Sequence, residues 1–465
     1  MLKFCKNLPR LLKVVSIVSK YKIFTYPDQI NIPKSVRFLA KLAEIITHPI
    51  NSFTKPEEIF GKRLANCFRN LGPIYIKFGQ TLSTRPDLVS ANVANSLTEL
   101  QDKLPPFASN LVRETIEAEF NQKISEIFVD FNDIPVAAAS IAQVHKAKLI
   151  DGTEVAVKVL RPNIFVEYNK DVEFLGYLAT ILSKWFIQTK RLKLIDVVKV
   201  FHNTMKSELN LRMEAAAASR LTDSFNNDPS VKIPKIYWHL TSEQVITLEW
   251  IQGVSIYDTK AIIKQGLNPR EIAANIAVMF FNQAYRDGFF HADLHPGNIL
   301  VCKDGAIALV DFGIIGMLKE KDRLAIAEIL HAFLQRDYSR VAIIHHRVKY
   351  IPQDTDLELF AQSCRSIAEP IMGLKIKDIS IGNLLARLFK ITDEFGMETQ
   401  PQLLLLQKTM VVVEGIGQSL HDEINMWELA APWIQKWANK NLTPEAKFVR
   451  ILKILAENLL DKTGA

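Results

Sequence analysis

Hydrophobic residues recur along this chain at two spacings, and the change from one to the other divides it. Residues 34–104 follow a helical period with short breaks at His48-Pro49 and Leu71-Gly72-Pro73. The run Ile74-Tyr75-Ile76-Lys77-Phe78-Gly79-Gln80-Thr81-Leu82 ends at Thr84-Arg85-Pro86-Asp87. From 134 to 160 the period drops to two, most clearly in Val155-Ala156-Val157-Lys158-Val159-Leu160, and Asp151-Gly152 predicts the hairpin turn before that strand. Residues 164–225 return to helical spacing. Val245-Ile246-Thr247-Leu248-Glu249-Trp250 reads as a strand, and Gly253 after it suits a hinge. A helix around 269–286 leads into His291-Ala292-Asp293-Leu294-His295-Pro296-Gly297-Asn298. The strands Ile299-Leu300-Val301 and Ile307-Ala308-Leu309-Val310 follow, joined by a turn at Asp304-Gly305 and running into Asp311-Phe312-Gly313. Everything beyond reads as helical. Strands before the hinge and helices after it predict an α+β arrangement of two lobes with a cleft.

The two ends are amphipathic. In residues 1–27, Lys3, Lys6, Arg10, Lys13 and Lys20 follow helical spacing, with Phe4, Leu8, Leu11, Leu12, Val15 and Val18 supplying apolar surface. The pattern reads as a helix lying on an anionic membrane surface, which adds about 1 kcal/mol of attraction per nearby basic group. A helix docked on the protein with a solvated basic face, or a targeting segment, fits the same pattern. Lys13 interrupts the apolar stretch and no small-residue cleavage site follows, which disfavours a secretory signal. At the other end, Thr443-Pro444-Glu445 starts a helix with Phe448, Ile451, Leu452, Leu455 and Leu459 on one face. Nowhere do 18 consecutive apolar residues occur, so any membrane contact is expected to be peripheral.

Composition narrows the class. In 465 residues, 48% are hydrophobic and 23% charged, an ordinary balance for two or three folded domains. Of the net charge of +7, +6 falls in residues 1–27 with its six basic and no acidic residues, so the rest is nearly neutral. A nucleic-acid binder would carry its basic stripe on the folded domain, and no nucleic-acid partner is expected. Cys5, Cys67, Cys302 and Cys364 form no C-x-x-C pair, which supports neither a zinc site nor a disulfide framework and fits a reducing, cytosol-facing compartment.

The candidate chemistry is the ordered set Lys158, Asp293, Asn298 and Asp311. Phosphoryl transfer from ATP needs a cation on the α- and β-phosphates, oxygen ligands for Mg²⁺, and a carboxylate near the attacking hydroxyl or water. Lys158 lies in a Val-Ala-Val-Lys strand, Asp293 and Asn298 share one loop, and Asp311 opens an Asp-Phe-Gly turn directly after a strand. Gly415-Ile416-Gly417 lacks the strand-turn-helix context of a dinucleotide fingerprint, and no flavin fingerprint or metal triad supports a monooxygenase. The run from Gln402 to Val413, broken by Gln407-Lys408, reads as a buried core helix, with a lipid groove as the alternative.

With these residues the chain resembles the protein-kinase-like fold, and more narrowly the UbiB family, also called ABC1 or ADCK, of atypical kinases tied to ubiquinone biosynthesis. Lys77-Phe78-Gly79-Gln80 matches the family's K-x-G-Q signature in an N-terminal helical extension. Ala137-Ala138-Ala139-Ser140-Ile141-Ala142-Gln143 matches its alanine-rich loop, which stands where ordinary kinases carry a glycine-rich one. His291 to Asn298 matches its H-A-D-x-H-P-G-N loop, and Glu208, Asn210 and Glu214 match its E-x-D-x-x-x-E helix except at Asn210. The resemblance covers roughly residues 30–420.

It implies a two-lobed protein-kinase-like fold with an N-terminal helical extension and a helical insertion in the small lobe. The implied segments are a basic amphipathic helix at 1–27, a helical extension at 28–106, an N-lobe at 107–252, a C-lobe at 253–442 and a C-terminal amphipathic helix at 443–465. Glu214 would pair with Lys158, with Glu208 as second choice. Asn298 and Asp311 would bind Mg²⁺, Asp293 would be the base, and residues 137–143 would line the nucleotide. Lys77, Gln80, Glu208 and Asn210 would regulate access to it. Asn210 removes a negative charge that could have met Lys77 or a metal. Family members often end in two hydrophobic helices, whereas this chain stops at Ala465 after one amphipathic helix, which weakens tail-mediated attachment.

The implied function is Mg²⁺-ATP binding and turnover that supports ubiquinone biosynthesis, through handling of lipid precursors at the cytoplasmic face of the inner membrane. Alanines restrict φ where glycines would wrap phosphates, so nucleotide is expected to be gripped differently. In the family the helical extension packs over the cleft where a protein substrate would lie, which favours ATP hydrolysis or action on a small or lipid molecule over transfer to proteins. The alternatives are a protein kinase regulating a ubiquinone-biosynthesis hydroxylase and a non-catalytic nucleotide-sensing scaffold.

Overall fold

The structure is a computed structural model that describes residues 2–23, 60–83, 89, 91–100, 105–185, 194–372, 387, 391, 394–397, 400–421 and 426–441. The break at His48-Pro49, the turn Thr84-Arg85-Pro86-Asp87 and the helix expected from Thr443 lie outside the described residues. Contacts divide the chain into two compact units, Met1–Ala216 with Lys235–Trp250 and Ala217–Pro234 with Ile251–Ala465.

The first unit begins with helices α1 (Leu2–Lys20), α2 (Phe60–Leu71), α3 (Pro73–Ser83) and α4 (Ala91–Leu97). Phe60, Ala65, Phe68, Leu71, Tyr75, Ile76 and Leu97 form their shared core. Val14, Ile17, Val18 and Tyr21 of α1 pack against it, and Arg10 Nε donates to Asp171 Oδ1 at 2.6 Å. The docked-helix alternative therefore describes this part of α1, and the purely membrane-surface expectation is corrected there. Leu12 and Lys13 stay exposed, while the side chains of Lys3, Phe4, Lys6 and Leu8 lie outside the described set.

The same unit continues with α5 (Ser109–Phe120), α6 (Ile124–Ile127), β1 (Phe128–Phe131), β2 (Ala137–Ala138), β3 (Ala142–Leu149) and β4 (Glu154–Leu160). Next come α7 (Ile164–Trp185), α8 (Leu194–Glu208) and α9 (Leu211–Phe225), whose residues from Ala217 on belong to the second unit, then, past the short β5 (Val231–Lys232) of the second unit, β6 (Val245–Glu249). The antiparallel sheet runs β1-β3-β4-β6, with β2 paired to β3. Period-two alternation on β4 buries Val155, Val157 and Val159 completely on one face, where Val112 and Ile116 of α5 complete the core. Gly152 takes φ +85° in the β3–β4 turn, a conformation that favours glycine. Helices α7 and α8 are the insertion between β4 and α9.

The second unit contains β5, β7 (Gly253–Ser255), α10 (Thr259–Lys264) and α11 (Pro269–Phe281), the last continuing into a π-turn at Asn282–Asp287. Short strands follow: β8 (Phe289–His291), β9 (Ile299–Cys302), β10 (Ile307–Leu309) and β11 (Ile315–Met317). Then come α12 (Glu320–Leu334), α13 (Tyr338–Arg347), α14 (Leu357–Met372), α15 (Pro401–Leu420) and α16 (Met426–Asn441). One sheet runs β5-β10-β9-β7, and β8 pairs with β11. Asn268 caps α11 by accepting Arg270 N–H, with Pro269 at the first helical position.

The fold is α+β, with strands that pair antiparallel except for β5 beside β10, joined to extensive helix. Two local expectations change. Gly253 opens a strand rather than serving as a free hinge residue: it pairs with Cys302, and a Cβ there would come within 3.0 Å of Val301 O. The segment after Gly313 is not all helix, because Ile315–Met317 completes the pair with β8.

His345 lies buried on α13 against Phe360 and Tyr350, its Nδ1 2.8 Å from Val341 O. Burial pushes its pKa from 6.5 down to about 4 despite that backbone contact. The folded chain keeps the ring neutral where the unfolded chain takes up a proton, so stability falls as pH drops from about 6.5 toward 4. At about 1.4 kcal/mol per pKa unit the loss reaches about 3 kcal/mol. Thermal midpoints across that range should decline more steeply for wild type than for His345→Gln, and parallel curves would refute the assignment.

Candidate active site

In the first unit, Lys158 sits on the central strand of the sheet, paired with Val144 on β3 and Ile246 on β6. Pairing on both edges fixes its backbone, and alternation sends its side chain to the face opposite Val157 and Val159. Its Nζ donates to both carboxylate oxygens of Glu214 at 2.9 Å, with side-chain exposures of 13% and 6%. Glu214 stands on the first turn of α9. Leu211 N–H donates to Glu243 O at 3.0 Å, hooking the start of that helix to the turn before β6. Removing either charge of so buried a pair strands the other, at a cost of about 3–5 kcal/mol.

The K-x-G-Q residues are engaged nearby in the same unit. Lys77 Nζ lies 3.1 Å from Glu208 Oε2, both nearly buried, and Gln80 Nε2 donates to Leu100 O at 2.9 Å. A Cβ at Gly79 would collide with Leu100 and Phe68, so the motif's glycine permits close packing of α3. An acid that meets Lys77 is thus Glu208. Asn210 instead shapes the α8–α9 turn, its Oδ1 accepting Arg212 N–H at 3.0 Å.

The alanine-rich loop is held from behind by a residue that the motifs did not single out. Arg161 Nε donates to Ser140 O at 2.9 Å, and Arg161 Nη2 donates to Pro105 O at 2.7 Å and Ala139 O at 3.3 Å. Ser140, Ile141, Ala142 and Gln143 are buried, while Ala137 is exposed and Ala138 and Ala139 half-buried. Gln143 Oε1 accepts Phe107 N–H at 3.0 Å and its Nε2 contacts His145 Nε2 at 2.9 Å. Its side chain therefore anchors residue 107.

In the second unit three expected residues meet on two adjoining loops. Asp293 and Asn298 lie between β8 and β9, and Asp311 lies between β10 and β11. The β8–β11 and β9–β10 pairings bring these loops side by side, and Val310 N–H donates to Asn298 O at 2.9 Å. Asn298 Nδ2 donates to Asp293 O at 2.9 Å, which fixes the loop across five residues. His291 clamps the two loops: Asp293 N–H donates to its Nδ1, so its Nε2–H donates to Asp311 O. Burial holds the His291 pKa below the usual histidine range, against the opposing pull of Asp293 and Asp311. His295 accepts Gly297 N–H, a local loop contact. Asp311 is exposed and takes φ +75°, a strained conformation for a residue with a Cβ, and its Oδ1 accepts Gly313 N–H at 3.1 Å.

Sequence reasoning also passed over Gln283 and Lys408. Gln283, in the π-turn, accepts His291 N–H at 2.8 Å. Lys408 on α15 approaches Asp293 Oδ1 at 3.8 Å. The only signal for Lys408 was the polar break in an apolar run. Leu403, Leu406, Met410 and Val413 around it are buried, as a core helix requires.

Comparison with known proteins agrees with these motifs. Residues 99–345 match the ABC1 atypical kinase-like domain and residues 364–425 match the UbiB helical domain. A protein from Marinobacter nauticus named "Probable protein kinase UbiB" is 40% identical over 442 residues, covering 94% of this chain and 80% of its own. Its namesake from Azotobacter vinelandii is 39% identical, covering 94% and 82%. A solved complex of Rv3197 with erythromycin from Mycobacterium tuberculosis aligns with a TM-score of 0.49 at 22% identity, covering 76% of this chain and 90% of that one. Matched by domain through most of its length and sharing two fifths of its residues with such relatives, the chain belongs to the UbiB family of ABC1 atypical kinase-like proteins.

Proposed function

We propose that this chain binds Mg²⁺-ATP and turns it over as an atypical kinase-like phosphotransferase or ATPase, and that the turnover supports ubiquinone biosynthesis by driving the handling of hydrophobic precursors. The observation that carries the chemistry is the pair of hydrogen-bonded loops holding Asp293, Asn298 and Asp311. The pathway rests on family membership.

The roles follow from what each side chain can do. Lys158, held by Glu214, is the cation for phosphate oxygens. Asp293 accepts the proton of the attacking hydroxyl or water. Asn298 spends its amide N–H on Asp293 O, so its amide oxygen is the atom left to act as a ligand, beside the exposed Asp311 carboxylate. An amide and a carboxylate oxygen are hard donors that suit Mg²⁺, which takes one or two carboxylates and completes its shell with phosphates and water. Among the described residues no group of three or more His, Cys, Asp and Glu could hold a metal ion. When bound, Mg²⁺ neutralises charge on the phosphates.

Purified protein should hydrolyse ATP only with Mg²⁺ and faster with vesicles and a quinone-precursor analogue. Asp293→Asn should lower turnover about 10²- to 10⁴-fold while retaining nucleotide binding, and Lys158→Ala should weaken binding. Calorimetry registering no Mg²⁺-nucleotide uptake would end the proposal. Unchanged cellular quinone levels in Asp293→Asn would favour the nucleotide-sensing scaffold. Labelled phosphate moving to a partner protein, and lost in Lys158→Ala, would favour the protein kinase.

The proposal puts the chain peripherally at the cytoplasmic face of the inner membrane, with the basic side of α1 toward anionic lipid. Lys13 is exposed although its Nζ reaches Leu71 O at 3.5 Å, and residues 1–27 hold six basic and no acidic residues. Among the described residues no helix is long and apolar enough to cross a membrane. The combined change Lys3→Glu and Lys6→Glu leaves the packed residues Val14, Ile17, Val18 and Tyr21 untouched and should abolish most of a vesicle binding that in wild type weakens with salt. Equal binding by both proteins would exclude this anchor.

A further inference from the structure

The carboxylate assigned as base has a cation beside it that its own loop does not supply. The stretch from His291 to Asn298 contains no lysine or arginine. Its two histidines are committed elsewhere: His291 bridges Asp311 O and Asp293 N–H, and His295 accepts from Gly297. Lys408 Nζ, from α15, stands 3.8 Å from Asp293 Oδ1, and both side chains are 38% exposed.

The placement is built rather than incidental. Lys408 is followed by Thr409 and Met410, 1% and 0% exposed, so its stretch of α15 is locked in the core. That helix packs on α11 and against β11, the strand paired with β8. Strand β8 ends at His291, two residues before Asp293, and α11 continues into the π-turn whose Gln283 accepts His291 N–H. Helix and loop therefore share their supports within one unit. Residues 364–425, matched to the UbiB helical domain, thus deliver a charged group to a loop of the kinase-like domain.

We infer that Lys408 is a positioning residue for Asp293: its ammonium draws one carboxylate oxygen to itself and leaves the other turned to the nucleophile. The inference rests on the ATP turnover proposed above. In that step the nucleophile's oxygen bonds to the γ-phosphorus as the bond from γ-phosphorus to the bridging oxygen breaks. ADP leaves with the electron pair, and the nucleophile's proton passes to Asp293. A carboxylate free to rotate would miss that proton, and a misplacement near 1 Å costs roughly a hundredfold in rate.

The test compares ATP hydrolysis by wild type, Lys408→Met, Lys408→Arg, Asp293→Asn and the double variant Lys408→Met/Asp293→Asn. Methionine keeps the apolar stem and removes the charge, and nucleotide affinity measured by calorimetry reports whether each variant is folded. Lys408→Met should lower kcat roughly ten- to a hundredfold with KM for ATP nearly unchanged, and Lys408→Arg should restore most of it. In the Asp293→Asn background the same change should cost nothing further, because the group it acts through is gone. Unchanged kcat in Lys408→Met, or equal losses in both backgrounds, would overturn the inference while leaving the proposed turnover intact. A wild type that binds Mg²⁺-ATP without hydrolysing it would overturn both.

Discussion

An ammonium on the central strand of a sheet is tolerated only if something answers its charge, and around Lys158 the first unit is arranged to do so. Glu214 meets it with two oxygens at 2.9 Å. The residue is held in turn because α9 starts where Leu211 is hooked to Glu243. A few residues earlier Glu208, ending α8, meets the nearly buried Lys77. Residues 208–214 therefore carry both acids, one toward the helical extension and one toward the sheet. Moving this turn would expose or strand two lysines at once, so extension and sheet are tied by charge as well as by packing. Neutral Asn210 between the acids adds no third charge and spends its amide on the turn itself.

The second unit solves a different problem, which is to hold polar side chains on loops without losing their geometry. Short strands do this by pairing across sequence: β8 with β11 and β9 with β10. Each strand is only three or four residues long, and the gaps are closed by His291 and Asn298, whose side chains bond to backbone rather than to other side chains. Asp311 at φ +75° pays in backbone strain, about 1–3 kcal/mol, for a carboxylate presented at the surface of the turn. A buried neutral imidazole suits the clamp because its two nitrogens differ, one accepting from Asp293 and one donating to Asp311.

Much of this was legible from spacing. The alternation in Val155–Leu160 gives a strand whose valines face inward, and the Asp-Gly turns at 151–152 and 304–305 give hairpins. Family membership and the α+β class were legible because the motifs are long and ordered. What covers an apolar face was not: the pattern of α1 is the same whether lipid or the core of α2 and α3 receives it, and only packing decides. Strands of three residues, Gly253–Ser255 and Ile315–Met317, are too short for a period to register. The π-turn at 282–287 continues a helical pattern without a break in composition. Arg161 and Gln143 act through backbone carbonyls and amides, which carry no sequence signature at all.

Those two residues also bear on why alanine can stand where glycine is usual. A glycine-rich loop offers its amides by entering the left-handed region, and no residue from 137 to 143 does so here. The loop is pinned instead, with the carbonyls of Ala139 and Ser140 taken by the Arg161 guanidinium and Gln143 bonded to the segment at Phe107. The Arg161 guanidinium, fixed by planar donors to three carbonyls, resists deformation of the loop. The strand that follows this pinned loop pairs Val144 with Lys158 on β4, so the loop leads directly to the ammonium that Glu214 holds in place.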